Sequence, residues 1–189
     1  LINRLINNLL RNNHKYMKEI NALLPKVAQL KQELIDKCKE QGIDILITST
    51  YRSNEEQDAL YAQGRTTAGS IVTKAKGGQS MHNYGVAFDF CPMKNGKADW
   101  NDLPLFKRVA DIGKSLGLEW GGDWLQFPDM PHLQYTCGYS LANFQNGEVD
   151  YSKFEIEPTY TQTIIPSVEP KTATTSDITV QGILSSKTI

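Results

Sequence analysis

The sequence predicts a small α+β domain, a central antiparallel sheet flanked by helices. Three observations predict it. Helix-like and strand-like segments alternate along the chain, each followed by the other kind. Val27, Leu30, Leu34 and Cys38 recur at helical spacing. Gly85 to Phe90 alternates instead with a period of two, Val86, Phe88 and Phe90 on one side and Gly85, Ala87 and Asp89 on the other. The chain has 189 residues, enough for one domain with extensions, and 40% of them are hydrophobic, enough for a core.

Residues 1–14 form an N-terminal extension whose Leu1-Ile2, Leu5-Ile6 and Leu9-Leu10 pairs make an amphipathic helical stripe. Its polar face is mostly Asn, with only Arg4 and Arg11 as cations, so the stripe suits docking on protein better than on a membrane. His14 ends it as an exposed helix residue. Residues 15–158 form the main domain. Pro25 opens a helix at its first turn, and Gly42 stops it. Ile43 to Thr50 is rich in β-branched residues and reads as a strand. Ser53-Asn54-Glu55-Glu56 is a capping box that starts a second helix, ending near Gly64. Residues 65–79 are rich in Gly, Thr, Ser and Lys and read as a long loop of the kind that carries function. Leu105, Val109, Ile112 and Leu116 form the stripe of a third helix, closed by Gly117. Leu118-Glu119-Trp120 and His132-Leu133-Gln134-Tyr135 are short strands. Residues 159–189 are Ser/Thr-rich, broken by Pro166 and Pro170, and read as a linker or tail. Ile178-Thr179-Val180 suggests the first strand of a truncated module.

Several function classes fall away. The formal charge of −1 gives no global basic field for nucleic acid. No apolar run reaches the length of a membrane span, and no signal peptide pattern is present. The chain opens on Leu1, not Met, so this end does not show whether the protein is exported. Cys38, Cys91 and Cys137 are odd in number and lack a CxxC pair, which argues for free buried thiols over a disulfide framework and leaves room for one bridge.

The chemistry concentrates in two segments. Two of the chain's three histidines, His82 and His132, join Asp89 in a three-ligand set that suits a catalytic zinc with its fourth position left to water. Closed structural zinc sites usually take four protein ligands, often cysteines, and so fit less well. Asp89 projects from the small-residue side of its strand, where a metal has room. Gly85 lets the backbone turn so that His82 can converge on it. Pro131 stiffens the approach to His132. Asp129, three residues before His132, is placed to act as a general base, with Glu119 next in line. Two histidines and a carboxylate also suit non-haem Fe(II), so the ligand set alone leaves the metal open.

The pattern Ser80-x-His82-x-x-Gly85-x-Ala87-x-Asp89, followed by Asp129-x-Pro131-His132, resembles the zinc D,D-peptidase family of cell-wall enzymes. That family comprises D-alanyl-D-alanine carboxypeptidases, D-Ala-D-Ala dipeptidases and the L-alanyl-D-glutamate endopeptidases of phage lysins and bacterial autolysins. Thr48-Ser49-Thr50-Tyr51-Arg52-Ser53, Glu56-Gln57, Leu60-Tyr61, Gln63-Gly64-Arg65-Thr66 and Trp120-Gly121-Gly122-Asp123-Trp124 resemble the endopeptidase branch. The resemblance covers roughly residues 20–136. It implies a hedgehog-like zinc D,D-peptidase domain, one Zn2+ per chain rather than iron, and peptidoglycan stem peptide as substrate. It also implies action on the cell wall, as a phage lysin or a secreted bacterial enzyme, with the L-Ala–D-Glu bond as the target.

The resemblance carries residue roles as well. Arg52 would polarise the scissile carbonyl and stabilise the oxyanion, work that suits a planar, always-charged donor. Ser80 would hydrogen-bond substrate. Gln57 would join it there or orient Arg52 from its helix. Asp123 would shape a turn or hold a ligand histidine. Trp120 and Trp124 would be core, or else walls of the cleft. Leu133-Gln134 departs from the Phe-Glu that this branch often carries after the histidine, which leaves open what stands behind His132. Two alternatives remain: a D-alanyl-D-alanine carboxypeptidase or dipeptidase and, in another class, a non-catalytic zinc-stabilised wall-binding module.

Overall fold

The computed structural model describes residues 22–156. The amphipathic stripe expected over residues 1–14 and the tail expected over 159–189 lie outside the described residues. Helix α1, Pro25–Glu40, has Pro at its first turn and buries Val27, Leu30, Leu34 and Cys38, the stripe that the spacing predicts. Gly42 follows at φ +69°, the left-handed turn that glycine accepts without a Cβ penalty. Strand β1 is Ile45–Ser49. Helix α2, Asn54–Ala62, starts on the complete Ser53/Glu56 capping box and buries only Gln57. A long loop leads to a 3-10 turn, Met81–Tyr84, closed by Gly85 at φ +70°. A Cβ on Gly85 would come within 2.8 Å of the Ala22 carbonyl oxygen, so the position excludes side chains twice over.

Strand β2, Ala87–Lys94, runs on through Asn95-Gly96 into the short β3, Lys97–Ala98. Both turn residues have positive φ, as a tight hairpin of matching twist requires. Helix α3, Leu103–Ser115, is capped by Asp102. It buries Phe106, Val109, Ala110, Ile112 and Gly113. Its buried stripe matches the expected one at Val109 and Ile112 but not at its start: Phe106 packs on Phe90 at 5.3 Å between ring centroids, while Leu105 lies at the core's edge. Strand β4, Glu119–Trp120, a 3-10 turn at Gly121–Asp123 and strand β5, His132–Gln134, follow. Helix α4, Leu141–Asn146, and a 3-10 turn at Tyr151–Phe154 complete the described chain, neither of them anticipated from the sequence.

The sheet order is β1-β2-β5-β4, antiparallel throughout, with β3 added on β2. Register decides what each face carries. Phe88 pairs with Leu133, and both are fully buried in one core with the apolar stripes of α1 and α3. Asp89 pairs with His132 in the next row, so those side chains emerge on the opposite face. Ser49 pairs with Asp89 after an irregularity in β1, extending that polar row across three strands. No helix among the described residues is long and apolar enough to cross a membrane. Cys38, Cys91 and Cys137 are free thiols, the first two buried and Cys137 only partly so. Burial pushes the Cys38 thiol up to about 11, which keeps it unreactive.

Candidate active site

His82, Asp89 and His132 converge although they come from three different elements. Pairing of β2 with β5 sets Asp89 beside His132, and the turn before β2 brings His82 over them. His82 Nε2 lies 3.2 Å from Asp89 Oδ1 and 3.2 Å from His132 Nδ1, and His132 Nδ1 lies 3.4 Å from Asp89 Oδ1. Tetrahedral coordination with bonds of roughly 2.0–2.1 Å puts neighbouring ligand atoms about 3.3 Å apart, so this triangle has the dimensions of a metal site.

The hydrogen bonds behind the imidazoles fit the same use. His82 Nδ1 donates to the Thr50 carbonyl at 2.6 Å, which leaves the Nε2 lone pair facing the cluster. His132 Nε2 faces Gln134 Oε1 at 3.0 Å, which leaves Nδ1 facing it. Asp89 supplies the negative charge. Burial opposes its ionisation, but its contacts with His132 and His82 outweigh burial and hold it well below the usual carboxylate range.

The strand-to-helix junction carrying Arg52 is tied to the same turn. Arg52 N–H donates to the His82 carbonyl at 3.2 Å, and Asn83 Nδ2 donates to the Arg52 carbonyl at 2.9 Å. The guanidinium is fixed on two sides, Nη1 donating to Gln57 Oε1 and Nη2 to Ser49 Oγ, both at 2.9 Å. Nη2 also lies 3.6 Å from Asp89 Oδ2. Five N–H donors in a rigid fork leave others for a ligand.

Gln57 is fully buried and spends its amide on Arg52, on the Ala75 carbonyl at 2.8 Å and on Thr73 Oγ1 at 3.4 Å. It therefore anchors Arg52 and the 73–75 loop, and burial keeps it off any substrate. That corrects the expectation of a substrate contact in favour of the other role expected for it.

These residues line a cleft of about 530 Å³. Arg52, Ser80, His82, Asp89, Asp129 and His132 all border it. Trp124, Phe127, Val72 and Lys74 line it too, and the Lys74 ammonium sits 4.5 Å from the centre of the Phe127 ring. Trp124 is therefore a cleft wall, its ring 5.1 Å from that of His132, while Trp120 is core and donates its indole N–H to the Met130 carbonyl at 2.9 Å. Asp129 is held by its N–H on the Gly121 carbonyl at 3.0 Å. Burial pushes its carboxyl up, and the charge of Asp89 adds to that, against a downward pull from His132, His82 and Arg52. Ser80 N–H donates to Asn83 Oδ1 at 3.2 Å, which orients the residue at the mouth of the turn.

Asp123 is not brought to a ligand histidine. It is exposed at the end of β4, and its carboxylate takes the Lys114 ammonium at 3.0 Å. The residue that touches His132 is Gln134, two positions on and on the same strand face. Period-two spacing from a ligand was the available signal. Asn83 and Thr50 were missed for another reason: they act through long-range backbone contacts that no local pattern encodes.

The sequence profile of the D-alanyl-D-alanine carboxypeptidase family matches residues 73–135, the segment that holds all three clustered residues. The peptidoglycan L-alanyl-D-glutamate endopeptidase CwlK of Bacillus subtilis is 46% identical over 127 residues, covering 59% of this chain and 72% of that protein. An L-alanyl-D-glutamate peptidase of a Listeria phage is 34% identical over 134 residues, covering 69% of this chain and 44% of that protein. Among solved structures, the L-Ala D-Glu endopeptidase ChiX of Serratia marcescens aligns at 20% identity with a TM-score of 0.46, covering 63% of this chain and 86% of that one. The match to CwlK runs through most of that enzyme's length, and the chain belongs to the peptidase family that unites D-alanyl-D-alanine carboxypeptidases with L-alanyl-D-glutamate endopeptidases.

Proposed function

We propose that this protein is a zinc-dependent peptidoglycan hydrolase that cuts the stem peptide between L-Ala and D-Glu. One observation carries the proposal: three candidate ligand atoms 3.2–3.4 Å apart face a cleft that also holds a half-buried carboxylate and an anchored guanidinium. The donor set fits zinc, with His82 Nε2, Asp89 Oδ1 and His132 Nδ1 as ligands. Bound zinc supplies Lewis acidity, which polarises a carbonyl and makes water a better nucleophile near neutral pH.

The chain's own residues supply the rest. Asp129 takes a proton from the attacking water and delivers it to the leaving amine. Its raised proton affinity suits both halves of that task. Arg52 presents its remaining N–H groups to the oxygen that gains charge, and because Gln57 and Ser49 hold it in advance, little reorganisation is needed. Ser80 lies at the cleft where a peptide backbone would run. Trp124, Phe127 and Val72 offer exposed apolar surface along the cleft for substrate to pack on. The endopeptidase reading is preferred over D-Ala removal because CwlK and the Listeria phage relative carry that activity in their names. The same relatives support action on the cell wall, as a lysin or an exported enzyme.

Digestion of purified peptidoglycan with and without chelator, followed by mass spectrometry of the new termini, tests this. The expected result is chelator-sensitive release of fragments with new D-Glu amino termini. Free D-Ala as the product would reassign the enzyme as a carboxypeptidase or dipeptidase. Wall binding without cleavage by the zinc-loaded protein would make it a non-catalytic module.

A further inference from the structure

We propose that Thr136, Gln134 and Glu119 form a hydrogen-bond network converging on the Glu119 carboxylate that fixes the tautomer of His132, which makes Gln134 and Glu119 positioning residues for the metal site. The network rests on the metal-site reading above. It starts in the register of the sheet, where β4 sets Glu119 directly opposite Gln134 on β5. Gln134 lies on the same strand face as His132, two residues along. His132, Gln134 and Thr136 are 5%, 7% and 3% exposed, so water competes little for the His132–Gln134 contact, while Glu119 lies exposed behind them.

The direction follows from which groups can donate. An ionised carboxylate only accepts. Glu119 Oε2 therefore receives an N–H from Gln134 Nε2 at 2.8 Å, and Glu119 Oε1 receives the Thr136 hydroxyl. Thr136 Oγ1 also accepts the Gly138 N–H at 3.2 Å, which leaves its O–H to point at Glu119. With its NH₂ held by Glu119, Gln134 must turn its amide oxygen to His132, and Oε1 lies 3.0 Å from Nε2. An amide oxygen cannot donate, so it draws the proton of neutral His132 to Nε2, against the competing pull of Asp89 Oδ1 on Nδ1 at 3.4 Å. Nδ1 is left with its lone pair toward His82 Nε2 and Asp89 Oδ1.

The two histidines differ in this respect. His82 is oriented by a backbone carbonyl, which cannot flip. His132 is oriented by an amide that presents either end unless something fixes it, and Glu119 fixes it. Glu119 thereby acts from behind the histidine, both carboxylate oxygens engaged, and not as the reserve base that its sequence position suggests.

The test is the zinc dissociation constant of the full chain, measured by competition with a chromophoric chelator, beside ¹⁵N NMR of the imidazoles in metal-free protein at alkaline pH. Glu119→Gln and Gln134→Leu should each weaken zinc binding roughly 10–100-fold. The double variant Glu119→Gln/Gln134→Glu reverses the donor and acceptor between the two side chains and restores an acceptor for His132, so it should recover most of the loss. Wild-type His132 should show a single Nε2–H tautomer, and Glu119→Gln a mixture. Single variants that bind zinc like wild type would overturn the network while leaving the metal site intact. A double variant as weak as the singles would overturn its polarity. A wild-type protein that binds no zinc would overturn the metal-site reading itself. If Gln134→Leu fails to fold, the Glu119→Gln binding and NMR arms still decide.

Discussion

At the scale of single residues, Asp129 and Arg52 give the sharpest expectations. Asp129→Asn should retain zinc and fold but lose about 100-fold or more in kcat, measured on one defined stem peptide. Its carboxyl is pushed up in the folded protein, so the sign for stability is set. Below the unfolded value near 4 both states are protonated and the group costs nothing. The cost grows as pH rises from there to the raised folded value and levels off above it, where a half-buried carboxyl is ionised. Metal-free Asp129→Asn should therefore melt at or above wild type at neutral pH, and the difference should vanish in acid. Arg52→Lys should lower kcat about 100-fold with zinc content unchanged, since lysine keeps the charge but not the fork that Gln57 and Ser49 grip. Equal kcat in both proteins would put Arg52 outside the chemistry. The cluster of His82, Asp89 and His132 was legible in the sequence because His, Asp and His stand at motif spacing. The partners of those residues were less so. Thr50 and Asn83 work through hydrogen bonds spanning some thirty residues, and Asp123 lies on Lys114 because its turn ends pointing to solvent.

At the scale of elements, the turn between β4 and β5 is tighter than its composition suggests. A Cβ on Gly121 would approach the Asp129 carbonyl oxygen to 2.6 Å and His132 Cβ to 3.0 Å. Backbone atoms cannot yield there as a flexible side chain would. Gly121→Ala should thus displace the segment holding Asp129 and His132, lowering both zinc affinity and kcat, as metal titration and kinetics would reveal. Full zinc affinity in that variant would mean the segment has slack. Helix α1, the capped start of α2 and the alternation in β2 were readable because each follows from local periodicity or capping. The α3 stripe was right at Val109 and Ile112 but missed Phe106, which rather than Leu105 fits beside Phe90, a choice made by the facing strand. Helix α4 escaped notice because its six residues bury only Phe144 and leave little pattern to read.

At the scale of the whole molecule, metal and fold should be linked. Zinc that binds only the folded chain stabilises it by mass action, about 2.7 kcal/mol when free zinc exceeds Kd by 100-fold. Chelation should lower Tm, and added zinc should restore it. An unchanged Tm in a protein that demonstrably releases zinc would contradict that link. A fragment of residues 15–158 should fold and hydrolyse a soluble stem peptide at a rate near that of the full chain, because it holds the core and cleft formed by the described residues. Loss of the cooperative melt in that fragment would assign a structural role to the flanking segments.

The pairing of Asp89 with His132 across β2 and β5 has one more consequence. A strand shifted by a single residue turns its whole alternating set to the other face. In such a mispaired chain one of those two ligands would point into the interior, and the triangle with His82 could not close. Zinc binding would thus report on assembly, the ion retained by correctly laced sheets and shed by miswoven ones. Refolded material sorted by retained zinc should separate the two populations, with the zinc-free fraction exchanging its β5 amide hydrogens faster.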